Sequence, residues 1–230
     1  MYKRQDLLIA KLTDEKTDNE SFPWLSHKSI KLCGEDTRVL KVSYAGEKGF
    51  EIHVHNNSMK KIYDELVQHG ENFNLIHFGM LALDSMRLEK NYRSWKSDLT
   101  SDYTMLQSGL KKWIKFDKGN FIGKEALKNE FYLGTSKKFV TLVVDDPEDN
   151  KPFGEPVYLS PVFAGDDYLG PIVSSGYGHR VKKSISMAIL DDRNLNGLND
   201  QLYIDVLGRK RKAYIVNEAL YDPENLKLRS

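Results

Sequence analysis

From residue 139 onward the chain breaks into six short β-rich runs, at 139–144, 156–159, 171–175, 185–190, 201–207 and 213–216. Turn signals separate them, and the runs start about 12 to 17 residues apart. That pattern predicts a small antiparallel barrel or sandwich.

The residues before it read differently. Residues 38–44 are β-rich, and Ala45-Gly46-Glu47-Lys48-Gly49 is a glycine-bracketed loop of hairpin length. Residues 50–55 then alternate, with Phe50, Ile52 and Val54 on one face and Glu51, His53 and His55 on the other. Asn56-Asn57-Ser58 offers N-caps for a helix running to about His69, with Gly70 as its C′ residue. Met59, Ile62, Tyr63 and Leu66 form its apolar stripe. A second helix reads over 79–90. Its apolar residues are spread around it, which predicts burial, and Asp84 and Arg87 are spaced to pair. Residues 91–120 are loop-rich, a short helix reads over 123–130, and Gly134-Thr135-Ser136 marks a composition shift. The class is therefore α+β, with an α+β portion over 6–134 and a small all-β domain over 135–230. Met1 to Gln5 resemble translated adaptor sequence and are set aside as a non-native scar, so the expectation is an N-terminally truncated fragment.

Composition excludes more than it identifies. Hydrophobic residues are 40% and charged residues 29% of 230, which excludes a disordered tail. Lys+Arg 34 against Asp+Glu 33 gives a net charge of +1, so no global field argues for nucleic acid or an anionic membrane. No apolar run approaches the roughly 20 residues of a membrane helix. Cys33 is the single cysteine, which rules out an intrachain disulfide and a cysteine-built metal site. It fits a reducing compartment.

No dinucleotide fingerprint, phosphate loop, metalloprotease helix motif or nucleophile elbow is present. His53 and His55 share a strand face, but no third metal ligand is visible, and no metal is expected. Glu51, on the same face, reads either as a solvated carboxylate or as an acceptor for the N–H groups of a planar ligand. Arg209 to Lys212 follow Gly208 and read as a solvated hairpin turn. The aromatic segment from Tyr92 to Tyr103 reads as the cover of a core edge or the lining of a stacking pocket.

Several segments, in order, resemble one family. Val42-Ser43-Tyr44-Ala45-Gly46-Glu47-Lys48-Gly49-Phe50-Glu51 is similar to the hairpin of the aminomethyltransferase, or glycine cleavage T-protein, family. Leu83-Asp84-Ser85-Met86-Arg87-Leu88-Glu89 resembles its helix, and Asp117 to Leu127 resembles its Phe-Ile-Gly segment. Ser174-Ser175-Gly176 followed by Lys183-Ser184-Ile185 resembles a strand pair of its C-terminal barrel. Leu88 to Trp95, Phe153 to Tyr158 and the tail from Ala219 to Asn225 are similar to the C-terminal halves of dimethylglycine and sarcosine dehydrogenases.

The resemblance implies a tetrahydrofolate-binding, one-carbon-transferring region of an FAD-dependent N-methyl amine dehydrogenase, with FAD in an N-terminal domain outside this chain. The partners it implies are folate and a small methylated amine. Glu51 matches the family's motif glutamate, which accepts hydrogen bonds from the pterin. Tyr44 matches a pocket tyrosine, Tyr221 falls near the aromatic that closes the folate site, and Trp95 is a candidate for the pocket wall. Leu83 stands where T-proteins usually carry a folate-contacting arginine, which supports the dehydrogenase branch. No residue matches the family's catalytic aspartate, so no catalytic residue is expected here and folate affinity should be weak. A stand-alone folate-dependent aminomethyltransferase or demethylase is an alternative. A non-catalytic folate-binding or interaction module is another, although Asn120 replaces the reactive cysteine of the family's iron–sulfur-assembly relatives.

Overall fold

The computed structural model describes residues 4–144, 156, 158–192, 195 and 202–229. They form two compact units: residues up to Met86 together with those from Asp222, and Arg87–Tyr221.

In the first unit, helix α1 (Arg4–Lys11) precedes strands β1 (His27–Leu32), β2 (Glu35–Leu40) and β3 (Glu51–Val54), which pair antiparallel in that order. Helix α2 (Asn56–Gly70) follows. Alternation decides the faces. Ile30, Leu32 and Val39 turn inward onto Leu8 and Ile9 of α1, Leu12 just beyond it, Phe22, and Ile62 of α2, while Ser29, Lys31, Arg38, Glu51 and His53 face water. Arg4 and Gln5, set aside in the sequence as non-native, lie in the first turn of α1. Helix α5 (Leu226–Arg229) also belongs to this unit, and the Asp222 carboxylate accepts from the N–H groups of Leu226 and Lys227 at its start.

The hairpin forms, but shorter than its β-rich pattern predicts. The ladder ends at Leu40↔Glu51. Beyond it Lys41 turns away, because its N–H donates to the Ser26 carbonyl and its own carbonyl accepts from Leu25. The cap of α2 is His55 rather than an asparagine: its Nδ1 accepts from the Asn57 N–H at 3.3 Å. Of the expected stripe, Ile62 is buried and Leu66 packs on the core, while Met59 and Tyr63 are exposed. Gly70 ends the helix without leaving helical geometry. A Cβ there would lie 2.6 Å from Leu75 Cδ1, so close approach is what requires glycine.

Helix α3 (Met80–Glu89) corrects the expectation of a fully buried helix. Met80 and Leu81 are exposed, and burial begins only at Arg87, Leu88 and Glu89. Helix α4 (Lys124–Leu133) has no fully buried residue.

The second unit holds a closed barrel of β4 (Lys137–Val144), β5 (Pro161–Ala164), β6 (Asp167–Gly178), β7 (Lys183–Asp191), β8 (Leu202–Val206) and β9 (Arg209–Val216). Its strand order is β4-β7-β6-β5-β8-β9, with every pair antiparallel. The α+β class and the small antiparallel barrel read from the sequence are thus both present. Leu142, Ile172, Leu190, Leu202 and Ile204 fill its interior, and the opposite face of β7, with Ile185, Met187 and Ile189, packs on Leu88 and Phe139. Two strand readings shift. The run at 156–159 is not a strand where described: Tyr158 and Leu159 form a turn, Leu159 adopts φ 67°, and β5 begins at Pro161. The basic run is not the hairpin turn. Leu207 and Gly208 make that turn with φ 53° and 82°, and Arg209–Lys212 open β9. Residues 153–155 and 157, part of the dehydrogenase-like segment, and Gln201 lie outside the described residues.

Candidate functional site

The hairpin from Lys41 to Val54 carries two of the four expected ligand contacts. Its loop is held at both ends by buried lysines. The Lys41 ammonium donates to the Thr17 carbonyl at 3.2 Å and to Asn19 Oδ1 at 2.9 Å, and it lies 3.8 Å from Asp6 Oδ1. The Phe22 and Phe50 rings flank it at 5.6 and 5.5 Å. The Lys48 ammonium pairs with Asp6 Oδ2. Burial pushes the Lys41 ammonium below its ordinary range, the Asp6 charge opposes that shift, and the Lys48 charge reinforces it. The returning limb passes close to the outgoing one: a Cβ on Gly49 would lie 3.1 Å from Ser43 Cβ and 3.2 Å from the Val42 oxygen. Tyr44, half-buried, stands on this braced loop.

Glu51 follows at the start of β3, on the exposed face that strand parity predicts. Its side chain is 55% exposed and its Oε2 lies 3.6 Å from His53 Nε2. No hydrogen bond occupies either carboxylate oxygen among the described residues, so both are open as acceptors. The two histidines do not act together: His53 faces Glu51, and His55 caps α2. Among the described residues no three His, Cys, Asp or Glu side chains are grouped to hold a metal. A polar groove of about 1160 Å³ runs over the same unit, bordered by Lys11, Asp14, Lys31, Arg38, His53 and His55; Glu51 and Tyr44 are not among its lining residues.

The other two contacts belong to the second unit. Tyr221 is buried. The Arg180 guanidinium lies 3.9 Å from its ring centre, and the buried Lys90 ammonium 5.9 Å from it. The Tyr221 N–H donates to the Glu89 carbonyl at 3.0 Å, and the Glu89 carboxylate accepts from the Arg180 and Val181 N–H groups at 2.7 and 3.2 Å. Trp95 has the opposite environment, 76% exposed on the loop after α3. Glu51 and Tyr44 thus share one hairpin, and Trp95 and Tyr221 share the other unit.

Sequence reasoning missed a buried, multiply bonded group of that unit. Arg87, spaced to pair with Asp84, sends Nη1 to Asp98 Oδ2 at 2.7 Å and Nη2 to Ser174 Oγ at 2.9 Å. Arg87, Asp98 and Ser174 are all buried. The available signal was an arginine inside an otherwise apolar helix end, which requires a buried acceptor.

Comparison with known proteins identifies the family of the fold. Residues 4–118 match the GCVT N-terminal domain, and residues 137–222 match the glycine cleavage T-protein C-terminal barrel domain. Human mitochondrial dimethylglycine dehydrogenase is 29% identical over 218 residues, 93% of this chain and 24% of that protein. The aminomethyltransferase of Caldanaerobacter subterraneus subsp. tengcongensis is also 29% identical, over 93% of this chain and 55% of that protein. The chain therefore spans about a quarter of the dehydrogenase and about half of the transferase. The crystal structure of the glycine cleavage system aminomethyltransferase T from Bartonella henselae superposes with a TM-score of 0.78 at 18% identity, over 95% of this chain and 57% of that one, and shows the same fold. With half the chain matched by one family domain and most of the remainder by its companion barrel, this protein belongs to the aminomethyltransferase (glycine cleavage T-protein) family.

Proposed function

We propose that this chain is the tetrahydrofolate-binding, one-carbon-transfer region of an N-methyl amine dehydrogenase of the dimethylglycine or sarcosine type. The observation that carries the reading is Glu51: a carboxylate with both oxygens open, on a rigid strand, at the end of a braced loop. A pterin presents an exocyclic amine beside a ring N–H, and one carboxylate accepts from both. Tyr44 stands on the same loop. The donor and acceptor types present fit a reduced folate, which when bound supplies the nucleophilic nitrogen that captures the one-carbon unit. The chain's own contribution is to bind and orient that ring. FAD belongs to a domain outside these residues, and the catalytic aspartate of the family has no counterpart within them.

The same reading makes folate and a small methylated amine the partners, without nucleic acid, and puts the protein in the cytoplasm or, in a eukaryote, the mitochondrial matrix. The same reading keeps a functional boundary at 134/135, supported by family matches over 4–118 and 137–222, although the compact units divide at 86/87 and 221/222. A stand-alone transferase is the second reading, since the bacterial aminomethyltransferase matches at the same 29% identity as the dehydrogenase and identity does not separate the two. Sequencing the native locus upstream of Asp6 separates the two. A flavin-type glycine fingerprint after a β-strand supports the dehydrogenase. A frame that gains only a T-protein-like N-terminal half overturns it in favour of the transferase.

A further inference from the structure

Residues 72–83, between Glu71 and Asp84, carry no formal charge. Several of their apolar side chains stand in water. Ile76 is 79% exposed, Phe78 60%, Met80 68% and Leu81 88%. The run is nevertheless fixed where it begins. Asn74 turns the chain at φ 55°, and the Leu75 N–H donates to the Gly70 carbonyl at 3.0 Å. It is also tied to α2: the His77 ring stacks on Tyr63, with centroids 6.0 Å apart and planes at 27°. Met59 lies one turn before Tyr63 on the same helix face, and both are more than half exposed. One apolar face thus extends from Met59 to Leu81, and all of it belongs to the first unit.

Its size is that of an interface. These side chains leave on the order of 900 Å² open, above the roughly 300–600 Å² of a typical monomer's largest apolar patch and close to the roughly 800 Å² per partner that a specific interface buries. Charge narrows the occupant. On α2 the flanking charges are matched within the chain: Lys60 pairs with Asp64, Lys61 with Glu35, and Glu65 faces His69 at 3.5 Å. They leave little to attract an acidic or a basic partner. A twofold contact sets a face against itself, and it fails where like charges meet. Residues 72–83 bring no formal charge to such a contact, and a net charge of +1 gives two whole copies little mutual repulsion.

We propose that this face is a self-complementary docking surface, on which a second copy of this chain seats the same face about a twofold axis. Ile76, Phe78, Met80 and Leu81 are its centre, and the paired charges of α2 are its rim. The inference is independent of the folate reading, which rests on Glu51 and not on this face.

The test is sedimentation equilibrium of the full chain over a concentration series, with Ile76→Asp, Leu81→Asp and Leu207→Asp beside the parent. Leu207 is the control: it is 86% exposed, but on the β8–β9 turn of the other unit. The parent should pass from monomer to dimer as concentration rises. Ile76→Asp and Leu81→Asp should each weaken the dimer by about thirtyfold or more, because a twofold contact buries the new charge twice. Leu207→Asp should leave it unchanged. All three sites are exposed, so melting temperatures should stay at the parent value. Two independent variants keep the test decisive if one of them does not fold. A parent that remains monomeric overturns the proposal and leaves the face to a different polypeptide. A dimer that survives both Ile76→Asp and Leu81→Asp overturns it, as does one that Leu207→Asp weakens equally. Open-ended association beyond the dimer also overturns it, because a twofold contact closes.

Discussion

Glu51 Oε2 lies 3.6 Å from His53 Nε2 on the exposed face of β3, and neither side chain supports the core beneath. Two solvated partners at this distance contribute little to folding. Glu51→Ala and His53→Ala should therefore each change the unfolding free energy by less than about 0.5 kcal/mol in urea titrations. A larger loss would make Glu51 a structural residue and remove it from the ligand site.

Asp6 is the shared counter-charge of two buried lysines, Lys41 and Lys48. Asp6→Asn leaves both ammonium groups without a full negative partner. Unfolding should become easier by about 3 kcal/mol, the low end for a broken buried pair because Asp6 keeps some contact with water. Thermal or urea unfolding reads this directly, and a change under 1 kcal/mol would mean that the loop is not braced from α1.

The depressed Lys41 ammonium has a signed consequence. Its folded value lies below the ordinary 10.5, so between the two the unfolded chain binds more protons than the folded one. Stability contributed at this site therefore rises as pH increases through that window, toward 10.5. Lys41→Met should lack that gain. Urea unfolding of both proteins across the window checks it, and parallel pH profiles would contradict it.

Gly170 holds φ at 153°, and a Cβ there would collide with the Ile189 carbonyl oxygen across the β6–β7 pair. The obstacle is backbone, so it cannot swing aside. Gly170→Ala should destabilise the barrel by about 2–3 kcal/mol. Wild-type stability in that variant would show that β6 can shift without cost.

The barrel was legible because its strands are short, β-rich and punctuated by turns. It was misread where turn chemistry hides. Pro161 looks like a breaker but opens β5, where a first-residue proline costs no ladder bond. The β1–β2 hairpin escaped notice although Ser29-Ile30-Lys31-Leu32 alternates, because its turn is Cys33-Gly34, with φ 53° and 81°, and cysteine is not a usual turn former. The parity of Glu51 was readable from one strand. The braces were not: Asp6 and Lys48 are 42 residues apart, and Ser174 and Asp98 are 76 apart. No local pattern announces such pairings.

The most direct test of the account is a calorimetric titration of the chain and its Glu51→Gln variant with 5-formyltetrahydrofolate. Glutamine keeps the shape but replaces one acceptor oxygen with a donor and removes the charge. The account predicts measurable binding by the parent and at least a tenfold weaker Kd in the variant, about 1.4 kcal/mol or more, with the melting temperature unchanged. Equal affinities in the two proteins would contradict the role assigned to Glu51, and no binding by either would contradict folate recognition by this chain.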